Sequence, residues 1–275
     1  MKKLDQDLKQ IFSGNSTSYY YSSLFFRKDV REDVFKLYAY VRTADDFVDE
    51  KPQQPEKLEQ FRDKTLENWR SGESGDKIVD YFLEVAREND FEKEWAEAFI
   101  DSMKMDTKKD EYATMEETLE YIYGSAEVIG LMMARLLDLD SESEEYACML
   151  GRSMQYCNFL RDIEEDYRLG RRYMPMEEME RFGIETLEPG RVNEEKFRIF
   201  MKEQIKQYFE WQEEAEKGLK YIPYRERVPV TLSSRLYKWT AKQIHSNPMI
   251  VYDRKVRPSK TRISVELLKA FSGIK

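Results

Sequence analysis

Apolar residues recur every three or four positions through long charged stretches of the chain, and few turn signals interrupt them; this is the period of helices, not of strands. Residues 16–50 read as an approach segment leading into a long helix, with Leu37, Val41 and Val48 on one side and Pro52 and Pro55 ending it. Shorter helices are expected at 55–70, 76–88 and 92–105. Thr114 and Glu117 have the form of a capping box and open a helix over 115–139. A second long helix fits 141–169 and stops at Gly170. After a loop region at 175–190 the pattern resumes at 193–221, at 231–244 and in a last amphipathic stretch at 261–271. Neither strand-like alternation, a short repeat nor a dividing linker is visible. The expectation is an all-α protein with one domain spanning 1–275.

Composition narrows the chemistry. Charged residues make up 36% of the chain and hydrophobic ones 41%, as in a charge-coated helical protein. The 45 basic and 54 acidic side chains leave a net charge of −9, without the basic footprint of a nucleic-acid binder. A single histidine, His245, excludes a His-rich zinc site. Cys148 and Cys157 form no C-x-x-C pair and are expected to be reduced, in a cytoplasmic protein. The N-terminus lacks the apolar core of a secretory signal, and the longest apolar run, residues 128–134, is too short to span a bilayer. The protein is therefore expected to be soluble or at most peripheral to a membrane.

Two acidic motifs stand out. In the first, Asp45 and Asp49 are four apart, which on a helix puts their Cβ atoms roughly 5–6 Å apart on one face. Tyr38 and Arg42 extend that face. In the second, Asn158, Asp162 and Asp166 run at i, i+4, i+8, beside Gln155 and Arg161. With 54 acidic residues such pairs arise by chance, and a solvated charged face explains an isolated one. Both motifs, however, lie in apolar and aromatic sequence (LYAYVRTADDFVDE and MQYCNFLRDIEEDY), as buried helices do, and buried carboxylates must be paired or coordinate a cation. Mg²⁺ takes hard oxygen ligands, commonly one or two carboxylates together with substrate phosphate. Two such helices face to face would make a metal-bridged diphosphate pocket, with Arg42 and Arg161 as a cationic clamp on the leaving group.

The segment STSYYYSS at 16–23, followed by VREDVFKLYAYVRTADDFVDE at 30–50, resembles the start of the squalene/phytoene synthase family. NFLRDIEEDYRLGRRYMP at 158–175 is similar to that family's second signature, residues 105–134 to its central helix, and YDRKVRPSK at 252–260 to the C-terminal end of its phytoene-synthase branch. The resemblance implies an isoprenoid-synthase-type helical bundle around a central cavity. It implies Mg²⁺-dependent head-to-head condensation of two prenyl diphosphates through a cyclopropylcarbinyl diphosphate, with Mn²⁺ as a substitute metal and no NADPH for phytoene. By this resemblance Asp45, Asp49, Asn158, Asp162 and Asp166 would hold metal. Tyr38, Arg42 and Tyr237 would act at the reacting carbons, and Ser16, Ser18, Tyr121, Gln155, Arg161, Arg254 and Lys255 would bind substrate.

A carbocation needs a dry, apolar cavity. Tyr19, Tyr20, Tyr21, Phe25, Phe26, Tyr121 and Tyr123 are available to line it or to serve as ordinary core aromatics. Two positions depart from the family pattern: Glu127, where relatives have glycine, is expected to point to the surface, and Glu111 stands where many members carry arginine. The C-terminal match favours C20 substrate and phytoene; C15 condensation to squalene, dehydrosqualene or presqualene diphosphate is the alternative. A non-catalytic assembly factor would have lost acidic ligands, and all five positions are filled here. From 253 to 275, seven basic residues oppose two acidic ones, with Ile263, Leu267, Leu268, Phe271 and Ile274 at helical spacing. This stretch either docks on the bundle or also touches an anionic membrane.

Overall fold

A computed structural model describes residues 21–273, and in that range the chain is all-α. Helix α1 (Lys28–Asp49) buries Val30, Val34, Leu37, Ala44 and Val48, a heptad-like stripe that faces the core. Tyr40, on its neighbouring face, stacks on Phe82 at 3.8 Å. Helix α2 (Pro55–Glu67) starts on proline, where the missing N–H would lack an intrahelical acceptor in any case. Helix α3 (Lys77–Glu88) is capped by Asp76, whose carboxylate accepts from Ile78 N and Val79 N, and α4 (Lys93–Met105) follows.

Helix α5 (Met115–Ile122) has the expected cap: Thr114 Oγ1 accepts from Glu117 N at 3.2 Å. The return bond lands one residue earlier than in a standard capping box, with Glu117 accepting from Ala113 N at 2.8 Å. A π-helical turn (Tyr123–Glu127) joins α5 to α6 (Val128–Leu136), so the helix expected over 115–139 is interrupted and ends early. The second long helix is likewise divided. A short 3₁₀ turn (Ser141–Ser143) leads into α7 (Glu144–Arg161), the backbone breaks at Asp162 (φ −103°, ψ 16°), and α8 (Ile163–Leu169) stops at Gly170, where φ is +86°.

The stretch expected to be loop contains the short helix α9 (Met176–Arg181). Helix α10 (Glu194–Glu216) runs into a 3₁₀ turn (Lys217–Tyr221), and α11 (Tyr224–Ser246) begins two turns before the expected start, carrying Pro229 within it. Helices α12 (Ile250–Asp253) and α13 (Lys260–Ser272) complete the described chain.

The core is built of side chains such as Phe82, Phe99, Phe197, Phe200 and Leu160, all essentially inaccessible to solvent. Both cysteines are free. Among the described residues no helix is long and apolar enough to cross a membrane. Helices α1, α6, α7 and α11, with the π turn, surround a central cavity.

Candidate active site

The cavity has a volume of about 340 Å³ and two chemically distinct ends. Tyr38, Arg42 and Asp45 from α1 meet Gln155 and Asn158 from α7 and Tyr237 from α11 at the polar end. Away from it the walls are aliphatic, with Leu37, Ile129, Met133, Leu137, Leu150 and Ile222. The lining contributed by α7 and its cap runs from Asn158 back to Ser143, which at 1.5 Å per residue is roughly 22 Å. Ala147, Leu150, Gly151, Met154, Gln155 and Asn158 share one face of that helix, because i+3 and i+4 steps return to the same side. The small residues there have a steric reason. A Cβ on Gly151 would sit 2.4 Å from the carbonyl oxygen of Ala126, and one on Gly130 2.3 Å from that of Ala147.

The acidic residues are tied to cations. Arg42 pairs with Asp46 and approaches Asp45 at 4.0 Å. Asp45 lines the cavity with about a third of its side chain accessible; burial, followed by the nearby charge of Asp49, pushes its carboxyl up to about 8 against the pull of Arg42. Asp49 and Asp162 lie one turn beyond the cavity-lining Asp45 and Asn158. Arg171 Nη1 donates to Asp49 at 2.8 Å. Arg161 grips Asp162 through two bonds of 2.8 and 2.5 Å, and Lys255 reaches Asp162 at 3.3 Å and also pairs with Glu165. Burial alone would raise Asp162, but Arg161 and Lys255 outweigh it and hold this carboxyl below its usual range. Asp166 is raised, by burial first and then by Asp162 and Glu165. Burial likewise pushes the Tyr38 hydroxyl up to about 12.

A hub beneath the two motifs escaped the sequence reading. Asp106 is 3% exposed at its side chain; its carboxylate accepts from Tyr121 Oη and Tyr173 Oη at 2.7 Å each, with Arg171 at 3.8 Å. Arg171 also donates to the carbonyl of Val48 at 2.6 Å, and its own backbone N–H donates to the carbonyl of Asp166 at 2.8 Å. One arginine thus joins the first motif through its side chain to the second through its main chain. Arg171 and Tyr173 stand inside the second signature, and Asp106 inside the segment resembling the family's central helix, so that resemblance was the available signal.

Tyr121, expected to bind substrate, is buried against Asp106 and does not line the cavity. Of the other aromatics considered, Phe26 lines the cavity, Tyr21 and Phe25 pack beside α11 and α13, and Tyr123 is exposed. The cavity wall is therefore chiefly aliphatic. Ser16, Ser18, Tyr19 and Tyr20 lie outside the described residues, and Arg254 is exposed at the end of α12. Glu127 is not at the surface: the π turn carries it inward, where only 6% of its side chain is exposed and it accepts from Arg152 Nε at 2.7 Å. Glu111 pairs with Arg172 at 2.7 Å.

Among the described residues no three His, Cys, Asp or Glu side chains converge closely enough to hold a metal unaided. The donor set nevertheless suits a hard cation shared with phosphate. It is all oxygen, Asp45 resists ionising without a compensating charge, and Asn158 Oδ1 is buried with no hydrogen-bond partner among the described residues.

Comparison with known proteins identifies the family. Residues 12–263 match the model of the squalene/phytoene synthase family. A chloroplastic phytoene synthase of Daucus carota is 31% identical over 267 residues, covering 93% of this chain and 67% of the relative. A 15-cis-phytoene synthase of Pantoea ananas is 26% identical, covering 94% and 87%. Among solved structures, a dehydrosqualene synthase crystallised with a ligand superposes with a TM-score of 0.88 at 25% identity, covering 99% of this chain and 97% of that one. A squalene synthase of Alicyclobacillus acidocaldarius, 19% identical over 90% of this chain and 95% of its own, shares the fold with a TM-score of 0.77. The chain belongs to the squalene/phytoene synthase family, whose members are prenyltransferases.

Proposed function

We propose that the protein condenses two molecules of geranylgeranyl diphosphate head to head into phytoene, through a cyclopropylcarbinyl diphosphate and with release of diphosphate, in carotenoid synthesis. The observation that carries this reading is a single cavity with a polar end flanked by both acidic motifs and an aliphatic wall extending roughly 22 Å from it. The phytoene synthases among the relatives support the C20 choice.

Asp45, Asp49, Asn158, Asp162 and Asp166 would hold Mg²⁺, or Mn²⁺ in its place. The metal supplies positive charge to the diphosphate oxygens as the allylic C–O bond breaks. Arg42, Arg161 and Lys255 would take up the released diphosphate once they exchange their present carboxylate partners, with Arg254 beyond them. Gln155 orients it by hydrogen bonding. Tyr38 and Tyr237 keep their protons, since burial raises both hydroxyls, and so present neutral donors beside the developing cation instead of a phenolate that would trap it. The aliphatic walls exclude water from the carbocation. Ser16 and Ser18 complete the diphosphate contacts in this reading, whereas Tyr121 acts through Asp106 as a positioning residue.

The test is incubation with geranylgeranyl diphosphate and Mg²⁺ without nicotinamide, which should release a C40 hydrocarbon with a phytoene-type conjugated triene. The likeness to the dehydrosqualene synthase structure supports a C15 alternative. Exclusive consumption of farnesyl diphosphate, or arrest at a cyclopropyl diphosphate until NADPH is added, would establish that alternative and overturn the C20 reading.

A further inference from the structure

Helix α13 presents two apolar faces, and the bundle covers only one. Ile263, Leu267 and Ala270 point inward and pack with Val228, Leu232 and Leu236 of α11 and with Tyr21 and Phe25. Turning away from that face, Val265, Leu268 and Phe271 recur at three-residue steps and are 37%, 70% and 47% exposed, with Phe271 at the boundary, its ring edge-on to Phe25 at 6.1 Å. Tyr224, 65% exposed, extends this patch from the start of α11 by donating from Oη to the carbonyl of Phe271 at 2.8 Å.

The charges around the patch have one sign. Glu266, the one carboxylate of α13, is turned inward, 7% exposed at its side chain, and neutralised by Arg235 at 2.8 Å and by Arg262 and Lys269 at 3.3 Å each. The outward arc therefore carries apolar side chains with Thr261, Ser264 and Ser272, and no acid. Lys260 flanks it on one side, Arg262 and Lys269 on the other, with Arg257 exposed just ahead of the helix. This polarity is local, in a protein whose net charge is −9. An acidic protein partner or a bilayer with anionic headgroups would meet the charge, but an arc of aliphatic and aromatic side chains rimmed by cations matches an interface where acyl chains lie directly beneath phosphates.

We infer that the outward face of α13, with Tyr224, is a membrane-docking surface that seats the protein reversibly on anionic lipid. Binding would be shallow, since the face is three turns long and three large apolar side chains wide. The α11 segment beneath α13 also lines the cavity through Pro229, Val230 and Ser233, so the docked face lies one helix away from the cavity wall. The inference stands apart from the chain length of the substrate.

Flotation of the full-length protein with phosphatidylcholine vesicles, with and without phosphatidylglycerol, at low and physiological salt, tests it. The wild-type protein should float with phosphatidylglycerol-containing vesicles, less so as salt rises, and scarcely with phosphatidylcholine alone. The double substitution Leu268→Ser and Phe271→Ser should reduce partitioning by about tenfold or more, the loss expected for two large apolar contacts. Because Phe271 also packs edge-on against Phe25, Leu268→Ser alone, at a side chain 70% exposed, should reduce partitioning while thermal stability stays near wild type. Ile199→Ser, which removes a side chain 56% exposed on α10, should leave flotation unchanged. Negligible flotation in every condition, or flotation that the double variant retains, would overturn the inference. So would light scattering that finds a wild-type dimer and a monomeric double variant, which would assign the face to a second copy of the chain.

Discussion

The pair formed by Glu127 and Arg152 allows a quantitative test of how the π turn is held. Removing one member of a buried ion pair costs about 3–5 kcal/mol, because the survivor is left charged and unpaired. The two members are not equally dependent here. Glu127 is 6% exposed and has Arg152 as its one ion-pair partner among the described residues. The Arg152 side chain is 26% exposed and also lies over the ring of Trp211 at 5.8 Å, so it retains water and an aromatic face when the carboxylate is removed. Arg152→Ala should therefore cost about 3–4 kcal/mol and Glu127→Ala about 1–2 kcal/mol. In a chain of this size those losses correspond to Tm decreases of roughly 6–16 °C and 2–8 °C. Far-UV circular dichroism melts of the two variants and of the double variant would measure them, and the double variant should lose less than the two singles together. Equal losses, or a larger loss for Glu127→Ala, would refute the argument that the buried carboxylate is the dependent partner.

Asp45→Ala and Asp162→Ala should each reduce turnover by orders of magnitude with helical content unchanged; comparable activity in both variants would remove the site assignment, and EDTA should abolish activity that Mg²⁺ restores. With its carboxyl pushed up to about 8, Asp45 in the folded, metal-free protein holds a proton that the unfolded chain has released above about pH 4. Its contribution is therefore present at low pH and lost as pH rises through about 8. Urea unfolding in EDTA should show Asp45→Asn flattening this decline, by at most ~1.4 kcal/mol per pH unit; parallel pH profiles for variant and wild type would contradict it. Gly151→Ala should destabilise the protein and narrow the cavity, since the new Cβ meets the backbone of Ala126, not a movable side chain, at 2.4 Å; a melt and turnover like wild type would show that the π turn and α7 can part without cost. Tyr173→Phe leaves one oxygen of Asp106 without its donor at 2.7 Å and should lower turnover more than it lowers Tm, as expected if the hub positions Asp49 through Arg171.

The features legible in the sequence were those set by local spacing. The i, i+4 placement of Asp45 and Asp49 on one helix, the Thr114 cap and the stop at Gly170 follow from helix geometry and backbone sterics. The break at Asp162 did not show, because its neighbours are all tolerable inside a helix and the backbone there still makes helical bonds: Asp162 N donates to Asn158 O, and Asp166 N to Asp162 O, both at 2.8 Å. Helix α11 starts at Tyr224, ahead of the expected 231, and tolerates Pro229 because near a helix start a proline forfeits a single bond. Glu127 was misplaced for a different reason. A π turn adds a residue to the helical repeat and rotates every later side chain about the axis, and no residue type in Tyr123–Glu127 announces it. Similarly, an amphipathic stripe shows that α13 has an apolar side, but not that Val265 and Leu268 turn away from it.

The acidic motifs have a further consequence through the partners they already hold. Asp162 is gripped by Arg161 and Lys255, Asp49 by Arg171 and Asp46 by Arg42. In the proposed reading, a divalent cation taking over these carboxylates would release Arg42, Arg161 and Lys255 to phosphate oxygens, while Arg171 would stay held by Asp106 and the Val48 carbonyl. Loading the polar end of the cavity would thus be an exchange of ion pairs, not an accumulation of charge, and on this reading cation and diphosphate should bind with strong mutual dependence, each freeing what the other requires.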